Sequence, residues 1–423
     1  MKKAEPKFKQ EIENKTYIGV NQNKKSVYAD DNGKHFFVCG TTGSGKTVLL
    51  SNFIKSAIDK NYPLLLVDGK GDIGDGSILD IVTKLKGNKK LYVVNLTNPS
   101  TSSLYNPFRG ANATICKDML INMTDWSEEH YKTNTERYVQ RLATLLDLAG
   151  INLNFKQIIQ YLPTDNFMTV SAKLLKENKI TKAQHSENGE IANTSGKITE
   201  NASARFSTIA ESEIGAIFDE TGIDIYTALK ENAIILFILN PLIYPEMSPL
   251  FGRLILIDSK KAISKLFGGN MRTFFIFDEI NVYASPVLID LINKSRSANV
   301  TVICATQSLA DLETVAGDPF KQQIIENCNN YIVLRQNSAK SAEQWAEIIG
   351  TRQTMEVTYQ LRQDNSVKNS PYNGDMTTGY GSAKRVREFL YHPDDIKAFK
   401  TGQGIFVSRD NGVNCKLNVH KPY

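Results

Sequence analysis

The sequence predicts an α/β fold with a mostly parallel central sheet, interrupted by an all-helical inserted domain. Three observations carry this expectation. Short apolar runs alternate with helical patterns, a glycine-rich turn joins one such run to one such helix, and the runs cease from Ala111 to about Ile217.

The first strand candidates are "HFFVCG" (His35–Gly40), "LLLVDG" (Leu64–Gly69) and "LYVVNL" (Leu91–Leu96). After the gap come "AIILFIL" (Ala233–Leu239), "TFFIFDE" (Thr273–Glu279), "NVTVICAT" (Asn299–Thr306) and "NYIVLRQ" (Asn330–Gln336), with "REFLYH" and "GIFVSR" as a closing pair. Continuous apolar runs, rather than alternating ones, mean strands covered on both faces. Within the gap, Asp125 followed by Glu128 reads as a capping box, and Tyr138, Leu142, Leu145 and Leu146 recur at helical spacing. The polar, glycine-dotted stretch Thr181–Arg205 reads as an exposed loop, and Gln360–Lys384 as a loop or irregular hairpin. The expected organisation is a basic arm (1–15), a discontinuous nucleotide-binding domain (16–110 and 218–423) and an all-α insertion (111–217).

A chain of 423 residues is too long for one small core, and 41% hydrophobic with 22% charged residues is ordinary for a water-soluble globular protein. The net charge of +5 permits a nucleic-acid partner without requiring one. Lysines crowd the first thirty residues, which reads as a solvated arm or an anion-facing surface. Five scattered cysteines without CxxC spacing argue against a zinc site or a disulfide framework and suit a reducing cytosol. The apolar stretch Ala233–Ile257 is broken by Asn240, Pro241, Pro245, Glu246, Pro249 and Arg253, so it reads as strand, loop and helix instead of a membrane span.

The chemistry starts at Gly40-Thr41-Thr42-Gly43-Ser44-Gly45-Lys46-Thr47, which fits GxxxxGK[ST] between an apolar run and a helical pattern. Glycines let the turn point its backbone N–H groups inward, and the new helix aims its positive end at the same place. Lys46 is expected at the β- and γ-phosphates of a nucleotide, with the Thr47 hydroxyl on Mg²⁺. Asp278 and Glu279 end the apolar run "TFFIFDE", where carboxylates enter the ligand crevice of an α/β sheet. Asp278 then serves the metal and Glu279 the attacking water. Gln307 ends the next run, either an ordinary turn glutamine or a sensor of the γ-phosphate, and Arg296 lies eleven residues earlier, either a surface arginine or a finger for a neighbouring subunit.

These segments, with "LLLVDGKGD", "YNPF", "VICATQSLADL", "YIVLRQNSAKSAEQWAEIIGTR" and "FLYHPDDIKAFKTGQGIFVSRD", occur in the order seen in conjugation coupling proteins. The chain resembles the TraG/TraD-like ATPases of type IV secretion systems, within the FtsK/HerA group of DNA-pumping motors. The resemblance implies a RecA-like fold, ATP and Mg²⁺ as cofactors, and catalytic roles for Lys46, Glu279, Gln307 and Arg296, the last as an intersubunit finger. It implies a homo-hexamer that drives or licenses single-stranded DNA transfer, partnered by a relaxase and a membrane-embedded channel or anchor protein. Family members usually carry N-terminal membrane helices, and none precedes the phosphate loop here. The expectation is a cytoplasmic protein held at the inner face of the membrane by a partner, or one whose membrane helices have been removed. A double-strand DNA translocase of the FtsK/HerA kind and a nucleotide-binding scaffold with little turnover are the alternatives.

Overall fold

Strand β3 (Phe36–Cys39) is buried along its whole length because every residue in it is apolar and both of its faces are packed. Strands β4 (Leu64–Asp68), β6 (Ile234–Ile238), β7 (Thr273–Asp278), β8 (Val300–Thr306) and β9 (Asn330–Leu334) are also buried along their whole length, with polar residues mostly at their ends. The structure, a computed structural model, describes residues 13–124, 126, 128–362 and 376–421. Together with β5 (Leu91–Asn95) these strands form a parallel block in the order β9-β3-β8-β7-β4-β6-β5. An antiparallel edge extends it through β12 (Gln403–Ser408), β13 (Val413–Asn418), β1 (Lys15–Asn21) and β2 (Ser26–Asp30), giving eleven strands.

That edge departs from the sequence expectation. Residues 15–30 form a hairpin, with Thr16, Ile18, Val27 and Ala29 turned inward; residues 1–12 of the expected arm lie outside the described residues. Strand β13 was not expected either, since its "VNCKLN" alternates polar and apolar, as an antiparallel strand with one face toward water does. Arg387–Phe389 of the expected closing pair belong instead to a separate hairpin of β10 (Thr351–Arg362) and β11 (Met376–Phe389). All five cysteines are free, four of them buried.

The chain divides into two compact units. One holds residues up to 334 and from 402 onward; the other is 335–401, with helices Ala339–Ile349 and Pro393–Lys397 and the β10–β11 ribbon. Residues 335–401 therefore stand apart from the expected 218–423 domain, while the helical segment shares the unit of the sheet.

Between Asn112 and Ile217 the described residues contain helices only: Ala113–Asn122, Glu129–Leu148, Phe155–Tyr161, Thr164–Lys176 and Lys182–Glu211, then a 3-10 turn. Tyr138 stacks on Phe167 with ring centroids 4.8 Å apart. Helix Glu129–Leu148 begins on an extended Glu128; Asp125 of the expected capping box lies outside the described residues.

The expected loop Thr181–Arg205 is instead most of a 30-residue helix. Thr181 and Gln184 cap it reciprocally, and over residues 182–199 the buried side of the helix sets a single large apolar residue, Ile191, among small and polar ones, Asn188, Ala192, Ser195 and Thr199. Asn188 donates to Ser171 Oγ at 2.8 Å and accepts from Arg141 Nε at 2.5 Å. At Gly196 a Cβ would fall 2.3 Å from Thr164 Cγ2, so close helix contact requires the glycine. A polar seam carries no apolar periodicity, which is why the sequence pattern misread it.

The insertion is pinned where it leaves and rejoins the sheet. Tyr105 bridges to Phe218 and Ile223, and Lys261 sits beneath both ends. Its ammonium lies 2.9 Å from Asp258, 3.3 Å from Asp224, and donates to the carbonyls of Pro107 (2.6 Å) and Arg109 (2.9 Å). Tyr105 donates to Asp258 Oδ2 at 2.9 Å. The "YNPF" segment is thus clamped onto helix Met247–Leu266 by a buried, hydrogen-bonded ion cluster.

Candidate nucleotide site

The loop 40–47 leaves β3 and enters helix Lys46–Asp59 as its pattern requires. Gly43 and Gly45 take φ of +73° and +106°, a region that side chains avoid. At Gly40 a Cβ would lie 2.6 Å from Ser44 Oγ and 2.7 Å from Leu334 Cβ. The loop can close this tightly only with glycine there.

Strands β7 and β8 bring the remaining groups to the same edge. Lys46 Nζ lies 3.0 Å from Glu279 Oε1, and both side chains are buried. Gln307 donates to the same oxygen at 3.2 Å, and accepts from Thr42 Oγ1 at 3.0 Å. Lys46, Glu279, Gln307 and Thr42 therefore form one connected cluster that links the phosphate loop to the tips of β7 and β8. Asp278 precedes Glu279 in β7, and Thr47 follows Lys46 in the first helical turn.

Glu279 adopts a left-handed backbone, φ 48° and ψ 54°, a conformation that costs a non-glycine residue on the order of 1–2 kcal/mol. It turns the chain sharply after β7, and the Glu279 N–H donates to Asp278 Oδ1 at 3.0 Å across that turn. Tyr283, fully buried, donates to the Asp278 carbonyl at 3.0 Å and braces the turn.

One carboxylate was missed in the sequence. Asp68 ends β4 in register with Asp278, and accepts the N–H groups of Lys70 (2.9 Å) and Gly71 (3.3 Å). Gly69 beside it allows this approach, since a Cβ there would fall 2.8 Å from the Asp278 carbonyl. The signal was available: "LLLVD" ends an apolar strand on an acid just as "TFFIFD" does. Burial lifts Asp68 to about 6, against the pull of the Lys70 and Gly71 amides. Burial, then the charges of Glu279 and Asp68, lift Asp278 to about 7, with Lys46 opposing.

Arg296 is not brought to this cluster. It follows helix Pro286–Ser295 and precedes β8, so the length of β8, about 20 Å, separates it from Gln307. It lies beside Gly33 and His35, ahead of β3. Burial and then the Arg296 and Lys34 charges pull His35 down to about 4.

The residues fit a magnesium–nucleotide. Ser44 Oγ and Glu279 Oε2 are buried without a hydrogen-bond partner among the described residues, and both belong to this cradle. Among the described residues no group of three or more His, Cys, Asp or Glu could hold a metal alone. Mg²⁺ needs only one or two protein carboxylates and completes its shell with phosphate and water.

Residues 24–214 match the family described as the helicase HerA central domain, and 272–401 that described as the TraM recognition site of TraD and TraG. The unbound conjugative coupling protein TrwBdeltaN70 is 16% identical, with 96% of this chain and 89% of that chain covered and a TM-score of 0.66. TrwB with ADP and Mg²⁺ is also 16% identical, over 96% of this chain and 89% of that one, with a TM-score of 0.63. VirB4 of Thermoanaerobacter pseudethanolicus is 14% identical over 96% of each chain, with a TM-score of 0.57. At such identities the likeness is one of fold. An uncharacterized protein of Mycoplasma pneumoniae is 36% identical over 100 residues, covering 23% of this chain and 67% of its own. A second from that organism is 38% identical over 66 residues, covering 15% of this chain and 55% of its own. Among the described residues no helix is long and apolar enough to cross a membrane.

Proposed function

Since the chain belongs to the TraG/TraD-like coupling proteins of the HerA group, we propose that it hydrolyses ATP to drive or license the transfer of single-stranded DNA. In this reading it works as a homo-hexamer, receives relaxase-bound DNA and hands it to a membrane-embedded channel or anchor partner. The observation that carries the reading is the junction of Lys46, Glu279 and Gln307 on one carboxylate oxygen.

Bound Mg²⁺–ATP would supply the phosphoanhydride whose cleavage powers the motor. The amides of Gly40 to Thr47 and the Lys46 ammonium would hold the β- and γ-phosphates, and Thr47 and Asp278 would hold the metal. Glu279 has one oxygen committed to Lys46 and Gln307 and one without a partner among the described residues. The second oxygen would orient the attacking water and accept its proton. Lys46 would exchange its partner from Glu279 to phosphate on binding and back on release. Gln307, tied to both Thr42 and Glu279, would pass that exchange to β8 and the helix after it. Arg296, at the far edge of its own subunit, would serve a neighbour's nucleotide across a ring interface.

Turnover of ATP, measured with and without single-stranded DNA beside a mass measurement for ring formation, tests the proposal. Glu279→Gln should retain ATP binding and lose about 10²–10³-fold in turnover. Normal turnover in that variant would remove Glu279 from the chemistry, and stimulation by duplex alone would move the reading to a double-strand translocase.

A further inference from the structure

Among the described residues the β10–β11 ribbon is a two-stranded sheet with no third strand. Over 355–358 and 381–385 every residue with a described side chain is exposed, so neither face is covered there. An isolated hairpin is marginal in water, and one this long gains from a ligand laid along it.

Its two faces differ in charge. Directly opposed residues share a face, and the register sets Arg352 against Glu388 and Glu356 against Lys384 on one of them. Each cation there stands across from an acid. The other face sets Gln353 against Arg387, Met355 against Arg385 and Val357 against Ala383. Among the described residues no carboxylate lies within ion-pairing distance of Arg385 or Arg387, and Arg387 donates only to Thr351 Oγ1, at 3.3 Å. Met355 and Val357 beside them are 62% and 48% exposed. Arg385 and Arg387 sit two apart on a strand, so their Cα atoms are about 6.6 Å apart along it.

We propose that this arginine-bearing face is a contact surface for the nucleic-acid strand that the motor moves. Two guanidinium groups in file, each able to grip a phosphate through paired N–H donors, suit a repeating polyanion. Met355 and Val357 give its sugars and bases an apolar floor. An open ribbon without a cleft recognises charge and backbone instead of sequence, as a translocating motor needs. The inference rests on the DNA-motor reading above.

Anisotropy of a fluorescein-labelled thirty-nucleotide oligo(dT) on the full chain, from 50 to 200 mM NaCl, tests it. Arg385→Gln with Arg387→Gln should weaken binding at least tenfold at 50 mM. Each lost phosphate contact removes about 0.7 from the slope of log affinity against log salt, so the double variant's slope should shrink by about 1.4. Glu356→Gln with Lys384→Gln, on the balanced face, should bind within twofold of wild type. Unchanged thermal unfolding shows that both variants fold. Wild-type affinity in the arginine variant, while the wild type binds, overturns the surface and leaves the motor reading standing. Loss of binding together with loss of a wild-type oligomer also overturns it, by assigning the ribbon to subunit contacts. A wild type that binds no DNA sinks both readings.

Discussion

Asp278→Asn separates the stability of the site from its chemistry. Asp278 is buried beside Glu279 and Asp68, and its carboxyl sits at about 7 against an ordinary 3.8. A carboxyl whose folded pKa is raised binds more protons folded than unfolded, so stability falls as pH rises between the two values. The window here runs from about pH 4 to about pH 7. One pH unit corresponds to about 1.4 kcal/mol, so at pH 8 the ionised side chain costs the fold on the order of 4 kcal/mol. At pH 5 the cost is about two-fifths of that, and at pH 4 about an eighth. Asparagine keeps the shape, and its oxygen can still accept the Glu279 N–H that lies 3.0 Å from Asp278 Oδ1. Its NH₂ brings a new donor to satisfy, which lowers the expected gain at pH 8 to about 2–4 kcal/mol. With an unfolding entropy of about 0.9 kcal/mol/K for 423 residues, that is a rise of about 2–5 °C in Tm. Thermal unfolding in EDTA at pH 4, 5 and 8 measures it, and Mg²⁺-dependent nucleotide turnover should collapse in the same protein. A variant less stable than wild type at pH 8, or one whose offset ignores pH, would refute this account of a buried carboxyl among like charges.

Two further outcomes are expected. Arg296→Ala and Lys46→Ala should each be inactive alone, and mixing them should restore part of the ATP turnover if Arg296 acts across an interface; no recovery in a confirmed oligomer removes the finger. Lys261→Met leaves Asp224 and Asp258 buried without their shared cation, which costs about 3–5 kcal/mol, or roughly 3–6 °C in Tm by the same entropy; a Tm unchanged within a degree would show that the cluster does not clamp the insertion.

The phosphate loop was legible because its chemistry is local. Glycines at fixed offsets, a lysine and a threonine between strand and helix need no distant residue to be recognised. Asp278 and Glu279 were legible because an apolar run ending in two acids is rare enough to stand out. Asp68 ends its strand in the same way, yet with one acid, and only the register of β4 against β7 shows that it shares the site. The helix Lys182–Glu211 failed for the opposite reason, since its buried seam of Asn188, Ser195 and Gly196 gains its meaning from Ser171, Arg141, Asn134 and Thr164 on other helices.

Sequence alone set the strand-and-helix alternation, the phosphate cradle and the acid pair, because these follow from covalent neighbours and residue type. Folding decided which partners meet: that Lys46 rests on Glu279, that Gln307 bridges Thr42 to the same oxygen, and that Arg296 faces the opposite edge. Such pairings join residues up to 265 apart in the chain, and their energies depend on burial and distance that no local pattern contains.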